Sequence, residues 1–171
     1  DTAGNIVVDY KYEDISGLDL KCDLVVVQSE GKWGALDMNG KEILPCIYDY
    51  ISPTDRLRWK DSSAIHLRVE LDGKMGLFDI HGKQLTPIEF DKVEVAYGYI
   101  IAKKEGTCAM FDMDMNMILP FLYSSIVPFP EKQIIYVRHG ESVGCIDFTG
   151  KKILPGSYSS VWWKDDAVYI A

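Results

Sequence analysis

The chain has 171 residues, of which 47% are apolar and 26% are charged, and its formal net charge is −8 at pH 7. At this length a chain buries roughly 70% of its unfolded surface, so we expect one domain with a hydrophobic core. The excess of 26 Asp and Glu over 18 Lys and Arg is the opposite of the basic face that phosphate groups require, so no nucleic acid partner is expected. The apolar runs are too short to span a bilayer, which predicts no membrane insertion.

The clearest structural unit of the chain is the segment 31–51, GKWGALDMNGKEILPCIYDYI. Two apolar-rich runs, 32–38 and 42–50, are separated by a turn that starts at Asp37 and reaches Gly40. An Asp at the start of a turn and a Gly three residues later suit a type I turn that is closed by a residue in the left-handed region. The segment therefore predicts a tight β-hairpin.

Versions of this unit recur along the chain. Its turn aspartate returns at intervals of 42, 33 and 35 residues, as Asp37, Asp79, Asp112 and Asp147. After each turn come a proline (Pro45, Pro87, Pro120, Pro155), an aromatic residue (Tyr48, Phe90, Tyr123, Tyr158) and a branched residue (Ile51, Val93, Ile126, Val161). This period indicates a repeat architecture, and the recurring aromatic and branched residues predict core contacts between neighbouring repeats. Proline lacks an N–H, so its place predicts a strand end or a sheet edge.

A small residue stands at a fixed place before each turn. It follows a larger apolar residue, in the pairs Trp33-Gly34, Met75-Gly76, Cys108-Ala109 and Val143-Gly144. A small residue that recurs inside a strand indicates that another backbone or a ring packs against it.

A further Val-, Ile- and Tyr-rich strand precedes each of these pairs, at 24–28, 65–70, 99–103 and 134–138. Each repeat is then three short antiparallel strands, and little or no helix is expected. We predict one all-β domain over residues 1–171, with partial repeats at 1–15 and 165–171 and full repeats at about 22–51, 64–93, 98–126 and 133–161. Because the chain starts with Asp1 and within a repeat, we expect a processed chain or a piece of a longer array.

Two architectures fit tandem three-stranded antiparallel β-hairpin repeats. One is an open superhelical or barrel-like array, and the alternative is a five-fold propeller-like closure, in which the last partial repeat completes the first. The middle strand of that composite repeat is absent from both ends, so we favour the open array.

The repeat resembles the WG-repeat family, also called KWG repeats. The residues that carry the resemblance are Gly31-Lys32-Trp33-Gly34 with Asp37, and the ending 43–51, while the third and fourth full copies lack the Trp. The resemblance implies a β-repeat protein of a family known mainly from bacteria, often exported to the periplasm or cell surface. It implies no catalytic residues.

No motif in the chain predicts catalysis, a metal or a cofactor, so we do not expect an enzyme. The recurring turn aspartates resemble cation ligands or an acid and base pair, but capping of the turn by the Asp side chain explains them. Segment 112–116 lacks the glycine and glutamate of a calcium loop. The three histidines, His66, His81 and His139, stand at unrelated places in the repeat, and Cys22, Cys46, Cys108 and Cys145 do too. Four separate free thiols are expected, which permits a reducing compartment such as the cytoplasm.

The chain departs from the repeat between Ile51 and Ile65, where residues 52–63 form an insertion. This insertion carries Arg56, Arg58, Trp59 and Lys60 in an otherwise acidic chain. Loops that extend from a rigid repeat often bind partners, and Trp and Arg are typical hot-spot residues. These four residues are therefore our predicted partner contacts, and the pair Trp162 and Trp163 is a second candidate. The alternative is a solvated loop in which Trp59 covers the core.

Three functions follow as hypotheses. The first is a non-enzymatic scaffold that presents an extended β surface to a protein or glycan partner. The second is a small acidic inhibitor or immunity-type protein that acts on a basic enzyme. The third, a carbohydrate-processing enzyme, requires two facing carboxylates in a pocket.

Overall fold

The structure is a computed structural model, and it describes residues 11–19, 24–54, 65–164 and 167–170. These ranges contain seventeen β-strands and one single-turn 3₁₀-helix, Pro130–Lys132. The all-β repeat fold is thus confirmed. Within the same ranges there is no helix with the length and apolarity that crossing a membrane requires. The chain divides into two compact units: the first contains the described residues up to Phe90, and the second contains those from Asp91 onward.

The first unit contains two antiparallel sheets. The first sheet is a meander of four strands, namely β1 (Asp14–Asp19), β2 (Leu24–Ser29), β3 (Lys32–Asp37) and β4 (Glu42–Tyr48). The second sheet has three, namely β5 (Tyr50–Pro53), β6 (His66–Leu71) and β7 (Lys74–Asp79). Their facing side chains form one core that includes Leu44, Tyr48 and Ile51 with Leu67, Val69 and Phe78.

The second unit contains two four-stranded meanders and one hairpin. The first meander consists of β8 (Lys92–Ala96), β9 (Tyr99–Lys104), β10 (Thr107–Phe111) and β11 (Met117–Tyr123). The second consists of β12 (Ser125–Phe129), β13 (Ile134–His139), β14 (Ser142–Ile146) and β15 (Lys152–Tyr158), and the hairpin of β16 (Val161–Lys164) and β17 (Ala167–Ile170). Met110, Leu119, Ile126 and Ile135 lie in its core, together with Cys108.

Every sheet of three or four strands begins with a strand that the predicted three-stranded unit did not include, and three of these sheets have four strands. The added strand comes from the branched residue that ends the previous sequence repeat: Ile51 lies opposite Val69, and Ile126 lies opposite Val137. Each sheet therefore joins the end of one repeat to the body of the next. Five of the recurring aromatic and branched residues are core residues as predicted, namely Tyr48, Ile51, Phe90, Val93 and Ile126, whereas Tyr123 and Tyr158 are only half-buried.

The small residue of the repeat lies under a bulge of the edge strand. In the first sheet Trp33 pairs with Tyr48 and Ala35 pairs with Leu44, so three residues of β4 lie opposite Gly34 alone. A Cβ atom on Gly34 would lie 2.7 Å from the Leu44 carbonyl oxygen and 2.9 Å from the Cys46 nitrogen. The prediction that another backbone packs against this site is confirmed. The same register shift occurs in the pairs β10–β11 and β14–β15, and prolines on these edge strands discourage pairing with other chains.

The second sheet lacks the bulged last strand of the other sheets, and Thr86 lies where that strand is interrupted. Residues after β7 make only isolated bridges, Phe78 with Gln84 and Met75 with Phe90. The Thr86 hydroxyl accepts the Leu77 N–H at 2.9 Å, so a side chain replaces a backbone carbonyl in the ladder. The other copies have a leucine at this place and cannot make this bond. A single polar side chain thus interrupts the strand.

An acidic residue between consecutive sheets binds the hairpin turn of the following sheet. Glu13 accepts the N–H groups of Glu30 and Gly31 at 3.1 and 3.2 Å. Asp49 and Asp91 stand at the same place of the repeat and accept the N–H groups of Asp72 and Glu105, both at 2.7 Å. These carboxylates fix the start of one repeat to the turn of the next.

The hairpin turn changes where the acid is missing. The three turns held by an acid have two consecutive residues with positive φ, such as Glu30 (52°) and Gly31 (73°), which is the signature of a type I′ turn. In the last of the four-stranded sheets the acid is replaced by Ser124, and glycine moves to the first turn position, as Gly140 with φ 61°. Glycine at that position is typical of a type II′ turn.

The turn after each recurring Asp contains a left-handed residue at its fourth position. Gly40, Gly82 and Gly150 adopt φ values of 80°, 85° and 84°, and Met115 adopts 65° in the remaining copy. The left-handed residue of this copy is thus Met115 and not the neighbouring Asn116. The chain tolerates methionine here because the Asp112 side chain and carbonyl still bind the turn.

We expect Met115→Gly to raise the free energy of unfolding by about 0.5 to 1 kcal/mol. Left-handed backbone costs an L-residue about 1–2 kcal/mol, and the extra entropy of glycine in the unfolded chain offsets part of the gain. Urea denaturation measures the change. The reverse substitution, Gly150→Ala, is the control, because a Cβ atom there would lie 3.7 Å from the nearest atom and tests backbone conformation alone. A neutral or destabilising Met115→Gly would contradict the argument.

Candidate functional site

The predicted partner contacts in the insertion fall outside the described residues. These are Arg56, Arg58, Trp59 and Lys60, so they stay predictions. Trp162 and Trp163 lie on β16, opposite Tyr169 and Val168 of β17. The residues at the two ends of the insertion are described, and they define the surface from which it extends.

The insertion leaves the second sheet between two paired strands. β5 and β6 run antiparallel up to Pro53 and Leu67. Beyond them, the Thr54 N–H donates to the His66 carbonyl at 2.8 Å, and the His66 N–H donates to the Thr54 hydroxyl at 3.3 Å. Residues 55–64 therefore connect two ends that are held together by hydrogen bonds. A loop anchored in this way extends from a fixed base.

An aromatic cleft lies at the base of this loop. Its volume is about 150 Å³, and it is lined by Trp33 of the WG motif, by Tyr50 and Pro53 of β5, and by the hydroxyl-bearing residues Ser16 and Ser52. The Tyr50 side chain is 53% exposed. We name this surface the Trp33–Tyr50 cleft. Exposed aromatic rings beside hydroxyl groups can stack on a sugar ring or contact a peptide, because their faces are apolar and their tips are polar.

Tyr50 also lines a second, smaller hollow. It has a volume of about 120 Å³ and is lined by Arg68, Glu70 and Met75 as well as Tyr50. The Arg68 guanidinium donates to the Ser52 hydroxyl at 3.1 Å, which links the two hollows. Tyr50 therefore lines both hollows, and the smaller one also contains a cation and a carboxylate, Arg68 and Glu70.

Sequence reasoning assigned Trp33 to the fold and did not select Tyr50. Trp33 does pack against the core, but it is only partly buried, and the rest of it lines the cleft. A signal for Tyr50 exists in the sequence. The same place of the repeat is occupied by Asp14, Lys92 and Ser125 in other copies, so Tyr50 is an aromatic exception at a polar position.

The recurring turn aspartates have a structural role. One carboxylate oxygen accepts two N–H groups in each turn, as Asp37 does from Asn39 at 2.8 Å and Lys41 at 2.9 Å. The Lys41 N–H is the main reason why the pKa of Asp37 lies below its ordinary value. The Asn116 side-chain amide and the Thr149 hydroxyl are the main causes of the lowered pKa values of Asp112 and Asp147. The prediction that Asp caps its turn through its own side chain is confirmed.

These lowered pKa values predict a loss of stability in acid. Because the folded-state pKa of each carboxyl lies below the unfolded value of about 3.9, its stabilisation is present above that value and is lost as the pH falls through the folded pKa. We expect the urea midpoint to fall between about pH 5 and pH 2. Combined Asp37→Asn, Asp112→Asn and Asp147→Asn should flatten this fall, since the amide oxygen accepts the two backbone N–H groups of each turn without titrating.

The control for the acid prediction replaces three exposed glutamates outside these turns, Glu42, Glu131 and Glu141, by glutamine. It removes three negative charges without removing the turn bonds. An equally flattened profile in this control would show that general charge, rather than the turns, produces the acid sensitivity.

The remaining chemistry-bearing residues do not form a metal site in the described ranges, where no cluster of three or more His, Cys, Asp or Glu side chains occurs. Cys108 and Cys145 are buried free thiols and Cys46 is a half-buried one, and burial raises the pKa of all three. His66 is buried, and its Nδ1 atom has no hydrogen-bond partner within the part of the chain that the structure describes. His81 lies in an exposed turn.

The fold and the cleft define the class of this protein, an all-β repeat scaffold with an exposed aromatic surface. The model of the WG containing repeat matches residues 1–33, 33–55 and 75–108, which together make more than half of the chain. The chain belongs to this WG-repeat family. No curated protein matches the chain.

Several solved structures resemble the chain at low identity. "KlHsv2 with loop 6CD replaced by a Gly-Ser linker" is 9% identical with a TM-score of 0.42, covering 76% of this chain and 46% of that one. A eukaryotic initiation factor is 14% identical with a TM-score of 0.46, covering 85% and 43%. The AfRom2 CNH domain is 8% identical with a TM-score of 0.41, covering 98% and 67%. The chain thus spans less than half of the first two, and with TM-scores below 0.5 none of the three supports an argument about function.

Proposed function

We propose that the chain is a non-enzymatic WG-repeat scaffold that binds a protein or glycan partner through the insertion 52–63 and the Trp33–Tyr50 cleft at its base. The scaffold supplies rigid sheets, and the insertion with the cleft supplies an irregular surface of a composition that the other repeats lack.

The observation that carries this proposal is the position of Tyr50. The residue is 53% exposed and lines both hollows. An exposed tyrosine at the first residue of β5 contributes little to the core, whereas tyrosine, tryptophan and arginine dominate the binding energy of interfaces. The predicted contacts Arg56, Arg58 and Trp59 follow within a few residues of Pro53 in the chain. The surface thus combines rigid aromatic groups with a cationic loop.

Two variants test the proposal against a partner identified by pull-down or on a glycan array. One is Tyr50→Ser and the other is the triple variant Arg56→Ala, Arg58→Ala and Trp59→Ala. Each is expected to lower the affinity at least about tenfold, because aromatic and arginine hot spots contribute about 2 kcal/mol or more. Isothermal titration calorimetry with the purified partner gives the affinity.

The matched control is Phe129→Ser. Phe129 is also an exposed aromatic residue on a strand, with 39% of its side chain accessible, but it belongs to β12 in the second unit. It should leave the affinity unchanged. Full affinity in the triple variant and in Tyr50→Ser together would refute this binding surface, and equal losses in all three variants would point to a general loss of structure.

The inhibitor hypothesis makes a different prediction about salt. A complex between this acidic chain and a basic enzyme should weaken strongly between 50 and 500 mM NaCl, roughly the range over which the Debye length falls below the spacing of surface charges. The enzyme hypothesis requires two facing carboxylates. The linings of the two hollows at Tyr50 contain one carboxylate, Glu70.

A further inference from the structure

A separate pocket lies in the second unit, between the end of β11 and the strands β13 to β15. Its volume is about 180 Å³. Its wall includes Tyr123, Val137 and Ile146, and its rim includes His139, Ser142 and Lys152. We name it the His139 pocket. A well-packed interior has few voids larger than a water molecule, and a cavity of about 150 Å³ is large enough to bind benzene. The pocket is therefore large enough for one six-membered ring.

The first unit shows why this space is open. In the first unit, Phe78 occupies the place of the repeat that Ile146 occupies in the second unit, and Tyr48 occupies the place of Tyr123. The Phe78 and Tyr48 rings meet edge to face, with 5.9 Å between their centroids, and Tyr48 is only 5% exposed. In the second unit the smaller Ile146 leaves that space unfilled, and Tyr123 is half-buried. The same scaffold therefore closes the site in one repeat and opens it in another.

The rim has a chemistry unlike the rest of this acidic chain. His139, Ser142 and Lys152 replace Leu71, Lys74 and Gln84 of the closed site. Among the described residues that line the pocket there is no carboxylate, although the net charge of the chain is −8. An ammonium group, a hydroxyl and an imidazole can each donate a hydrogen bond to an anion. An apolar wall with a donor rim fits a ligand that has an apolar body and an anionic head.

We propose that the His139 pocket binds a small monocarboxylate with a single ring or a branched aliphatic group. The apolar group contacts Val137 and Ile146, and the carboxylate accepts hydrogen bonds from Lys152, Ser142 and His139. This site lies in a different unit from the Trp33–Tyr50 cleft and does not depend on the function proposed for it.

The test titrates the protein with phenylacetate and, separately, with the neutral phenylacetamide, followed by ¹H–¹⁵N NMR. Phenylacetate is expected to bind saturably in the millimolar range, with shifts concentrated in β13, β14 and β15, and phenylacetamide is expected to bind at least fivefold more weakly. Lys152→Gln should remove this preference for the anion. Lys151→Gln is the matched control, because the neighbouring lysine belongs to the turn and does not line the pocket, and it should keep the preference.

A second variant tests the apolar half of the site. Ile146→Phe supplies the ring that Phe78 provides in the first unit, and it should abolish phenylacetate binding while the spectrum stays folded. Because Lys152 is exposed, its variant gives a result even where Ile146→Phe fails to fold. The proposal is overturned by the absence of saturable phenylacetate binding, by equal affinity for the acid and the amide, or by unchanged binding in a folded Ile146→Phe variant.

Discussion

Gly34→Ala is expected to lower the free energy of unfolding by about 2 kcal/mol, and Gly34→Val by about 3 kcal/mol or more. The added Cβ atom would lie 2.7 Å from the Leu44 carbonyl oxygen and 2.9 Å from the Cys46 nitrogen, both backbone atoms of the bulged edge strand. Backbone atoms cannot move aside as the end of a flexible side chain can. The bulge must therefore shift away from β3, which weakens the ladder and the core contacts of Leu44. Urea denaturation followed by tryptophan fluorescence measures the loss.

The matched control is Gly31→Ala, three residues earlier in the same hairpin. Gly31 has a positive φ of 73° and no atom within 4 Å of an added Cβ atom, so alanine there costs only about 1 kcal/mol of backbone strain. Ala109 occupies the equivalent place in β10 and is fully buried. The bulge that faces it, on β11, consists of other residues than the bulge on β4. Equal losses at Gly31 and Gly34 would contradict the steric argument, as would a Gly34→Ala variant with wild-type stability.

Thr86→Val is expected to lower the free energy of unfolding by about 2 kcal/mol, because an unsatisfied buried donor costs about 1–3 kcal/mol. Valine has nearly the shape of threonine but cannot accept the Leu77 N–H, which Thr86 binds at 2.9 Å. Thr86 is 1% exposed, so water does not replace the lost acceptor. Urea denaturation gives the stability, and hydrogen exchange of the Leu77 amide reports directly on the lost bond.

Thr86→Ser separates this hydrogen bond from packing. Serine keeps the hydroxyl and loses one methyl group, which costs about 1 kcal/mol. The Leu77 amide should stay protected in Thr86→Ser and exchange faster in Thr86→Val. If the amide is equally protected in both variants, another acceptor binds Leu77 and the explanation for the interrupted fourth strand is wrong.

The turns of this fold could be predicted from the sequence because they depend on a few neighbouring residues. Asp37 binds the N–H groups two and four residues later, and Gly40 supplies the left-handed backbone. All partners of these bonds lie within five residues of one another, so the same letters produce the same turn in each copy. Met115 shows the limit of this rule, because the Asp bonds keep the turn in place even without glycine.

The strand that each sheet takes from the end of the preceding repeat could not be assigned from the sequence in the same way. Ile51 ends one sequence repeat, but its strand pairs with the following one, opposite Val69. Strand pairing depends on which segments meet in space, and the sequence period only shows which residues recur. Thr86 is the converse case. Its copy keeps the turn aspartate, the proline and the aromatic residue of the repeat, yet the last strand of its sheet is interrupted where the Thr86 hydroxyl binds the Leu77 N–H.

The candidate sites likewise differ in whether the sequence alone shows them. The insertion 52–63 was evident as a break in the repeat, whereas the Trp33–Tyr50 cleft and the His139 pocket depend on side chains brought together from several strands. From the sequence, Ile146 is an ordinary core residue. It forms the wall of an open pocket only because it lies beside Tyr123 in the same lining.

The sequence by itself determined the all-β class, the turns, the recurring core positions and the family of this protein, because each of these depends on local chemistry repeated at a regular period. The tertiary structure alone decided which strand each sheet takes from the preceding repeat, the close contact of Gly34 with the bulge, the Trp33–Tyr50 cleft and the His139 pocket. These features depend on the volume and hydrogen bonding of residues that lie far apart in the chain, and a repeat pattern carries no information about them.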